Sequence, residues 1–194
     1  MDPASAAGSL FAAFGLSGAA GLNAWIPLLG VSLAGRWGWI DLGESYDFLE
    51  STAALTAIGA CLVTDFVGDK IAGVDHLLHA AGAVIQPAAG AILFAAQTGV
   101  VGDLDPTVAL VLGALVAGSV HAERSAIRPL STATTGGIGN PVLSAIEDVG
   151  SVALAVVAFL APILAVLFVV VLLAAGLLAW RALRRRSREP PAER

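Results

Sequence analysis

Charge is what this chain has least of. Asp, Glu, Lys and Arg make up only 13% of its 194 residues, while 57% are hydrophobic. A soluble domain carries about a quarter charged residues, so this chain is too apolar for an ordinary wetted surface. Cysteine is nearly absent as well. The single Cys61 sits in an apolar run, which excludes a disulfide framework and a cysteine metal motif. Lys and Arg are missing from the start: "MDPASAAGSLF" holds an acid and no base. It therefore lacks the basic region of a signal peptide, and the first helix is expected to be kept. Enzyme motifs are missing too. There is no GxSxG, no P-loop, no GxGxxG between a strand and a helix, and no HExxH. No catalytic residue is assigned, and no cofactor or nucleic-acid partner is expected.

What is there is hydrocarbon-like length. Mean hydropathy is +0.85, and the chain is long enough for about five or six spans of ~20 residues. The expected fold is all-α, a polytopic transmembrane helical bundle with about six spans, some of them broken by Gly, Asn or Pro. The spans read as 9–34, 49–67, 74–96, 104–120, 141–160 and 163–180, forming a single domain over 1–180. A basic, disordered tail over 181–194 follows. The run from Pro141 to Trp180 would make one helix of about 60 Å, twice the hydrocarbon thickness. Pro162, near its middle, favours two spans joined by a tight turn near Ala161.

Six of the ten basic residues lie in the final "RALRRRSREPPAER". By the positive-inside rule this tail is cytoplasmic. Six spans then put Lys70, Arg124 and Arg128 in inside loops and both termini inside. The outside loops "WGWIDLGESYDFLE" and "TGVVGDLDP" have acids and no bases. Trp37 and Trp39 suit the outer interface and Trp180 the inner one. Small pairs such as Gly30 with Ala34 and Ala114 with Gly118 allow close helix approach. They are compatible with a homo-oligomer in the lipid bilayer. "HAAGAVIQPAAGA" from His79 is echoed by "HAERSAIRPLSTA" from His121, as if two related segments entered the membrane from one side.

Two stretches interrupt the helices. "GLNAWIP" carries Gly21, Asn23 and Pro27. "TTGGIGNPVLSAIEDVGS" carries three glycines and Asn140, then Pro141, and then the adjacent acids Glu147 and Asp148. Paired broken helices point to a central binding site. The Gly-rich stretch reads either as a cytoplasmic loop or as a re-entrant turn. The acids two turns beyond it favour a turn that folds inward, facing Asn23 across a polar pocket. Asn23, Asn140, Ser144, Glu147, Asp148, Arg128 and His121 are the candidate substrate-binding residues. Asp65, Asp69, Asp75 and His79 are candidates for ion coupling, because an ionisable group within a span is costly unless paired. Glu147 or Asp148 is expected to pair with Arg124 or Arg128. If residues 65–79 formed one helix, Asp65, Asp69, His76 and His79 would share a face and could hold a metal. Gly68 and Gly73 argue for a turn instead. A small solute or ion is the expected partner, moved by a transporter or channel. A lipid-acting membrane enzyme and a structural membrane protein are the alternatives.

"GLNAWIPLL", the Asp69–Lys70 pair, "QP" and "RP" in the echoed segments and the series His121, Arg128, Asn140, Ser144, Glu147, Asp148 together resemble a bacterial membrane family, the domain of unknown function 4126. The resemblance runs from Gly15 to about Pro162. It implies a polytopic inner-membrane protein and no established activity. The chain departs from the family pattern at "TTGG", where a Ser-Pro-Glu-Pro turn is expected, and at Thr132, where an Asn is expected. A role for that turn's carboxylate therefore does not carry over.

Overall fold

The computed structural model describes residues 3–69, 71, 74–98 and 104–186. Helices α1 (Pro3–Leu22) and α2 (Trp25–Arg36) are followed by a 3-10 segment (Glu44–Glu50). Then come α3 (Thr52–Gly68), α4 (Val74–Thr98), α5 (Pro106–Thr135), α6 (Asn140–Leu160) and α7 (Pro162–Arg186). There is no strand among the described residues. Local chemistry sets several boundaries. The Ser51 hydroxyl accepts from the Ala54 amide at the start of α3. Asp105 accepts from Thr107 and Val108 ahead of Pro106, as N-caps do. The amides of Val108 and Thr107 hold its carboxyl below the usual aspartate range.

Three helices are long and apolar enough to cross a membrane, over Leu77–Gln97, Pro106–Thr135 and Asn140–Leu160. The 3-10 segment with α3 would count as a fourth, bent by 64°. Ala6–Leu22 and Pro162–Leu178 are apolar but shorter. Helix α6 shows what kind of surroundings the bundle suits. Asn140, Ser144, Glu147 and Ser151 line its buried face, while Val142, Ile146, Val149, Val152 and Val156 are exposed. Polar groups inside and branched aliphatics outside invert the pattern of a water-soluble helix and match lipid as solvent.

Three expectations about the path of the chain change. The first span does not run through from residue 9 to 34. A Cβ placed on Gly15 would press on Ala158 and Ala165, and one on Gly18 would meet Leu154 and Val169. Ser151 donates to the Ala19 carbonyl. Helix α1 thus runs antiparallel to α6. Beyond the break the sense flips: Asn23 contacts Asp148, and Gly30 lies beside the Phe159 ring. The chain reverses at Asn23, and α2 carries it back to Arg36, which bonds Glu50 and Thr52.

Second, α5 does not stop at Val120 but continues to Thr135, so Arg124 and Arg128 sit on a helix and not in a loop. Their charges are neutralised from α6, which removes the reason for the helix to end. The segment from His121 therefore leaves the bundle where the one from His79 enters it, and the echo does not mark two parallel halves.

Third, the start of α1 and the end of α7 lie at opposite ends of the bundle. Helix α1 begins at the end remote from Asn23. Helix α7 runs toward the Asn23 end, where Gly176 faces Glu123. The expected turn at Ala161 is present. Contacts pair Ala158 with Ala165 and Leu154 with Val169 across Gly15 and Gly18, as in a hairpin closed at Ala161. Helix α7 also outlasts Trp180 and stays helical to Arg186.

The closest backbone approach is between α4 and α5. A Cβ on Gly90 would collide with Ala117 and, at 2.7 Å, with the Gly113 carbonyl. Gly90→Ala is expected to lower stability by about 1–3 kcal/mol, the usual cost of overpacking. Gly59→Ala is the control. Its Cβ would meet nothing within 4 Å in the middle of α3, so the change should be neutral or stabilising. Thermal unfolding in detergent compares the two. Equal losses would show that the helices are not in close contact at Gly90.

Candidate functional site

A broken helix leaves backbone groups without intrahelical partners, and inside a bundle each must find one. At Asn23 they do. At the end of α1, the Ala19 carbonyl accepts from the Asn23 amide (3.0 Å) and from Ser151 Oγ (3.0 Å). Ser151 also reaches the Asn23 carbonyl at 3.3 Å. Arg124 Nη1 donates to the Leu22 carbonyl. The Gln86 amide, turned with its nitrogen toward the Gly21 carbonyl (3.2 Å), donates to His121 Nδ1 and accepts from Arg124 Nη1 at 2.6 Å. At the start of α2, Asn23 Oδ1 accepts from the Trp25 and Ile26 amides at 3.0 and 3.4 Å. One side chain therefore ends one helix and begins the next.

The other half of the Asn23 side chain turns to charge. Nδ2 donates to Asp65 Oδ2 at 2.9 Å and to Asp148 Oδ1 at 2.8 Å. Asn23 is 3% exposed, so two carboxylates from α3 and α6 meet on a buried amide. Next to them, Glu147 Oε2 receives Arg128 Nη2 at 2.9 Å and Arg124 Nη2 at 3.1 Å. The expected pairing of an α6 acid with Arg124 or Arg128 is present, and both cations take part. Ser144 donates to Asp69. Asn140 Nδ2 donates to Thr132 Oγ1 at 3.1 Å. His121 Nε2 lies 3.2 Å from Ser125 Oγ, and its ring lies 5.2 Å from that of His79.

The structure thus gathers Asn23, Asp65, Asp69, His79, His121, Arg128, Ser144, Glu147 and Asp148 near one end of the bundle. Asn140 lies just beyond. The side chains of Asp75 and His76, and residue Lys70, fall outside the described residues. The single helix needed for a metal face over 65–79 does not form, because α3 stops at Gly68 and α4 starts at Val74. Among the described residues no group of three or more His, Cys, Asp or Glu could hold a metal.

The Gly-rich stretch does not fold inward. Gly136 (φ 64°) closes α5 in the left-handed region, where glycine is the natural C-cap. Ile138 is 84% exposed, so residues 136–139 form a short outward-facing turn before Asn140. Glu147 and Asp148 lie deep in α6 because their partners come from α1, α3 and α5. Gln86 and Ser151 were missed from sequence. The signal for Ser151 was its place on one face with Asn140, Ser144 and Glu147. The signal for Gln86 was its position before Pro87, matching Arg128 before Pro129.

Two cavities flank this cluster. A cavity of about 160 Å³ lies beside the helix break, among Trp25, Cys61, Asp65, Asp69, His79 and Arg124, and it opens past the exposed Thr64. A second cavity of about 430 Å³ lies among His79, Ser125, Arg128, Thr132 and Asn140. The polar pocket expected between Asn23 and Asn140 is in fact two spaces, with the Asn23 end and the Asn140 end in separate ones.

Residues 10–182 match the family described as Domain of unknown function (DUF4126). The chain belongs to that family. No curated protein and no solved structure matches it.

Proposed function

We propose that this member of the family is a small integral-membrane transporter or channel that takes a small solute or ion into the chamber beside the break at Asn23. The observation that carries the reading is the chamber itself. It places two carboxylates, Asp65 and Asp69, and the Arg124 guanidinium around about 160 Å³. That space suits an ion with a few waters or a small polar molecule, since one water occupies ≈ 30 Å³. Irregular backbone at membrane depth is tolerated where it lines such a space. Across the cluster, Asp65, Asp69, Glu147 and Asp148 face Arg124 and Arg128, an acid excess that favours cations or solutes carrying a positive group. In place of six spans, α3 to α7 would each traverse the bilayer, with α1 and α2 as a hairpin whose tip is Asn23. In a bacterial inner membrane the end holding Arg124, Arg128 and the arginines of α7 would face the cytoplasm.

A scaffold without a path is the rival reading, supported by the hydrogen bonds and ion pairs that tie the network's groups to one another. Flux separates the two. Asp65→Asn and Asp69→Asn, each folded and reconstituted in sealed vesicles, are assayed with protons, alkali cations, ammonium and small zwitterions. Loss of a charged wall group should slow the transported species at least about tenfold, equivalent to about 1.4 kcal/mol of binding. If the unaltered protein passes none of these, or both variants match it, the scaffold reading replaces this one.

A further inference from the structure

The cavity beside the helix break has two kinds of wall. Asp65 and Asp69 bring carboxylates to it, and Trp25, Leu78 and Ile85 bring apolar surface. Arg124 lines it too, but Glu147 meets that charge at 3.1 Å, so the carboxylates are in excess. The second cavity is the reverse: among the described residues its wall holds Arg128 and no carboxylate. We propose that the first cavity recognises a small organic ammonium ion, one positive nitrogen carrying a short hydrocarbon body. This names the substrate class of the proposed transporter and rests on that cavity being its binding site.

A bare metal cation suits this space poorly. A hard cation such as Ca²⁺ takes about six to eight oxygen ligands. Here two carboxylates stand among apolar walls, and no group of three or more His, Cys, Asp or Glu among the described residues could hold a metal. Each acid is anchored through one oxygen, Asp65 Oδ2 by Asn23 at 2.9 Å and Asp69 Oδ2 by Ser144. Both are therefore held in place as a fixed negative wall. An ammonium needs fewer oxygens, because its positive charge also favours the face of an indole, and Trp25 supplies one. Its hydrocarbon body covers Leu78 and Ile85, which a hydrated metal ion would leave against water. Size agrees. The cavity of about 160 Å³ has room for about five waters at ≈ 30 Å³ each, and so for an amine of about that many heavy atoms. The mouth agrees as well. Thr64 is exposed and stands one turn before α3 ends at Gly68. The opening is thus on the flank of α3, close to its end, at the depth where amphipathic amines such as lysine side chains settle. No wall has to move to admit the ligand.

Binding is tested without any assay of flux. The full-length protein in mild detergent is titrated with n-butylammonium chloride and with tetramethylammonium chloride. The unfolding midpoint is read, because a ligand that binds only the folded state raises it. Cys61 lines the same cavity, so its alkylation by N-ethylmaleimide reports where the ligand sits. Both ammonium salts should raise the midpoint and, near saturation, slow alkylation about tenfold, as for a site about nine-tenths occupied. Potassium chloride at equal ionic strength and n-butanol should do neither. Asp69→Asn keeps an oxygen for Ser144 and should raise the half-saturating concentration about tenfold, equal to about 1.4 kcal/mol. Trp25→Leu should raise it between about two- and thirtyfold, the span of cation–π energies. The cap at Asn23 uses the Trp25 backbone amide, so changing the ring leaves the helix break intact. Trp25→Phe keeps a ring and should lose less, and it carries the test if the leucine variant misfolds. Potassium or n-butanol as effective as butylammonium overturns the ammonium class. No midpoint shift and no protection of Cys61 overturns the site, as does an affinity that Asp69→Asn and the Trp25 variants all leave unchanged. Binding in a protein that passes no solute in vesicles keeps the ligand class and removes transport. Flux without binding of either ammonium keeps transport and removes the ligand class.

Discussion

Glu147→Gln is expected to destabilise the protein by about 3–5 kcal/mol, the cost of breaking a buried ion pair from one side. Glu147 is 7% exposed and Arg128 6%, and Glu147 Oε2 receives both Arg124 and Arg128. Removing its charge leaves two guanidiniums facing each other without the carboxylate they share. The loss reaches past the pair. Arg124 also caps the Leu22 carbonyl and donates to Gln86, so its displacement loosens the end of α1. Adding Arg128→Met removes the repulsion and fills similar volume. The double variant should therefore lose less than the sum of the two single losses, by about 0.5–3 kcal/mol. Unfolding in mild detergent measures all three. A Glu147→Gln protein within about 0.5 kcal/mol of the unaltered one would behave like a surface substitution, and the buried triad would then be wrong.

The same triad explains what could and could not be read from the chain. All-helical structure and family membership were legible, because hydropathy and the series from His121 to Asp148 are local signals. The break at Asn23 was legible too. Gly21, Asn23 and Pro27 stop a helix wherever they fall. That the chain turns back there was not legible, since the sense of α2 is decided by its packing on α6. The end of α5 was misplaced for a related reason. A local reading ends a span at its first charges, Glu123 and Arg124. The structure keeps the helix going because Glu147, a full turn-and-helix later, supplies the counter-charge. The glycines 136 to 139 looked like pocket material because they stand before buried acids. Those acids face α1, α3 and α5, and the glycines simply turn the chain. Close packing was read at Gly30 and Gly118, where neighbours are at ordinary distance. It occurs at Gly15, Gly18 and Gly90, and no spacing rule separates these when glycine and alanine are so frequent.

Asn23→Asp is expected to be the most damaging single-atom-scale change in the chain. The substitution keeps the shape of the side chain and an oxygen able to cap Trp25 and Ile26, so the helix break itself is not at issue. It converts the donor now 2.9 Å from Asp65 and 2.8 Å from Asp148 into an acceptor. Three carboxylates would then crowd one buried point. Two like charges 4 Å apart cost about 4 kcal/mol at an effective dielectric of 20, and here there are two such pairs. Asn23→Ala removes the cap and the donors without adding charge. It should cost less, about 2–4 kcal/mol from a lost cap and two unsatisfied acceptors. The order alanine milder than aspartate is the reverse of what a capping role alone predicts, because aspartate caps as well as asparagine does. A swap decides the matter. Asp148→Asn placed on Asn23→Asp restores a donor opposite an acceptor, now with the amide on α6 and the carboxylate at the break. The double variant should regain part of the stability lost by Asn23→Asp, measured as folded yield and unfolding midpoint in detergent. It should not regain all of it, since the repulsion with Asp65 persists. If Asn23→Asp folds as well as the unaltered protein, or if the swap recovers nothing, then the amide at the break is a helix cap and no more, and the carboxylates beside it are held by other groups.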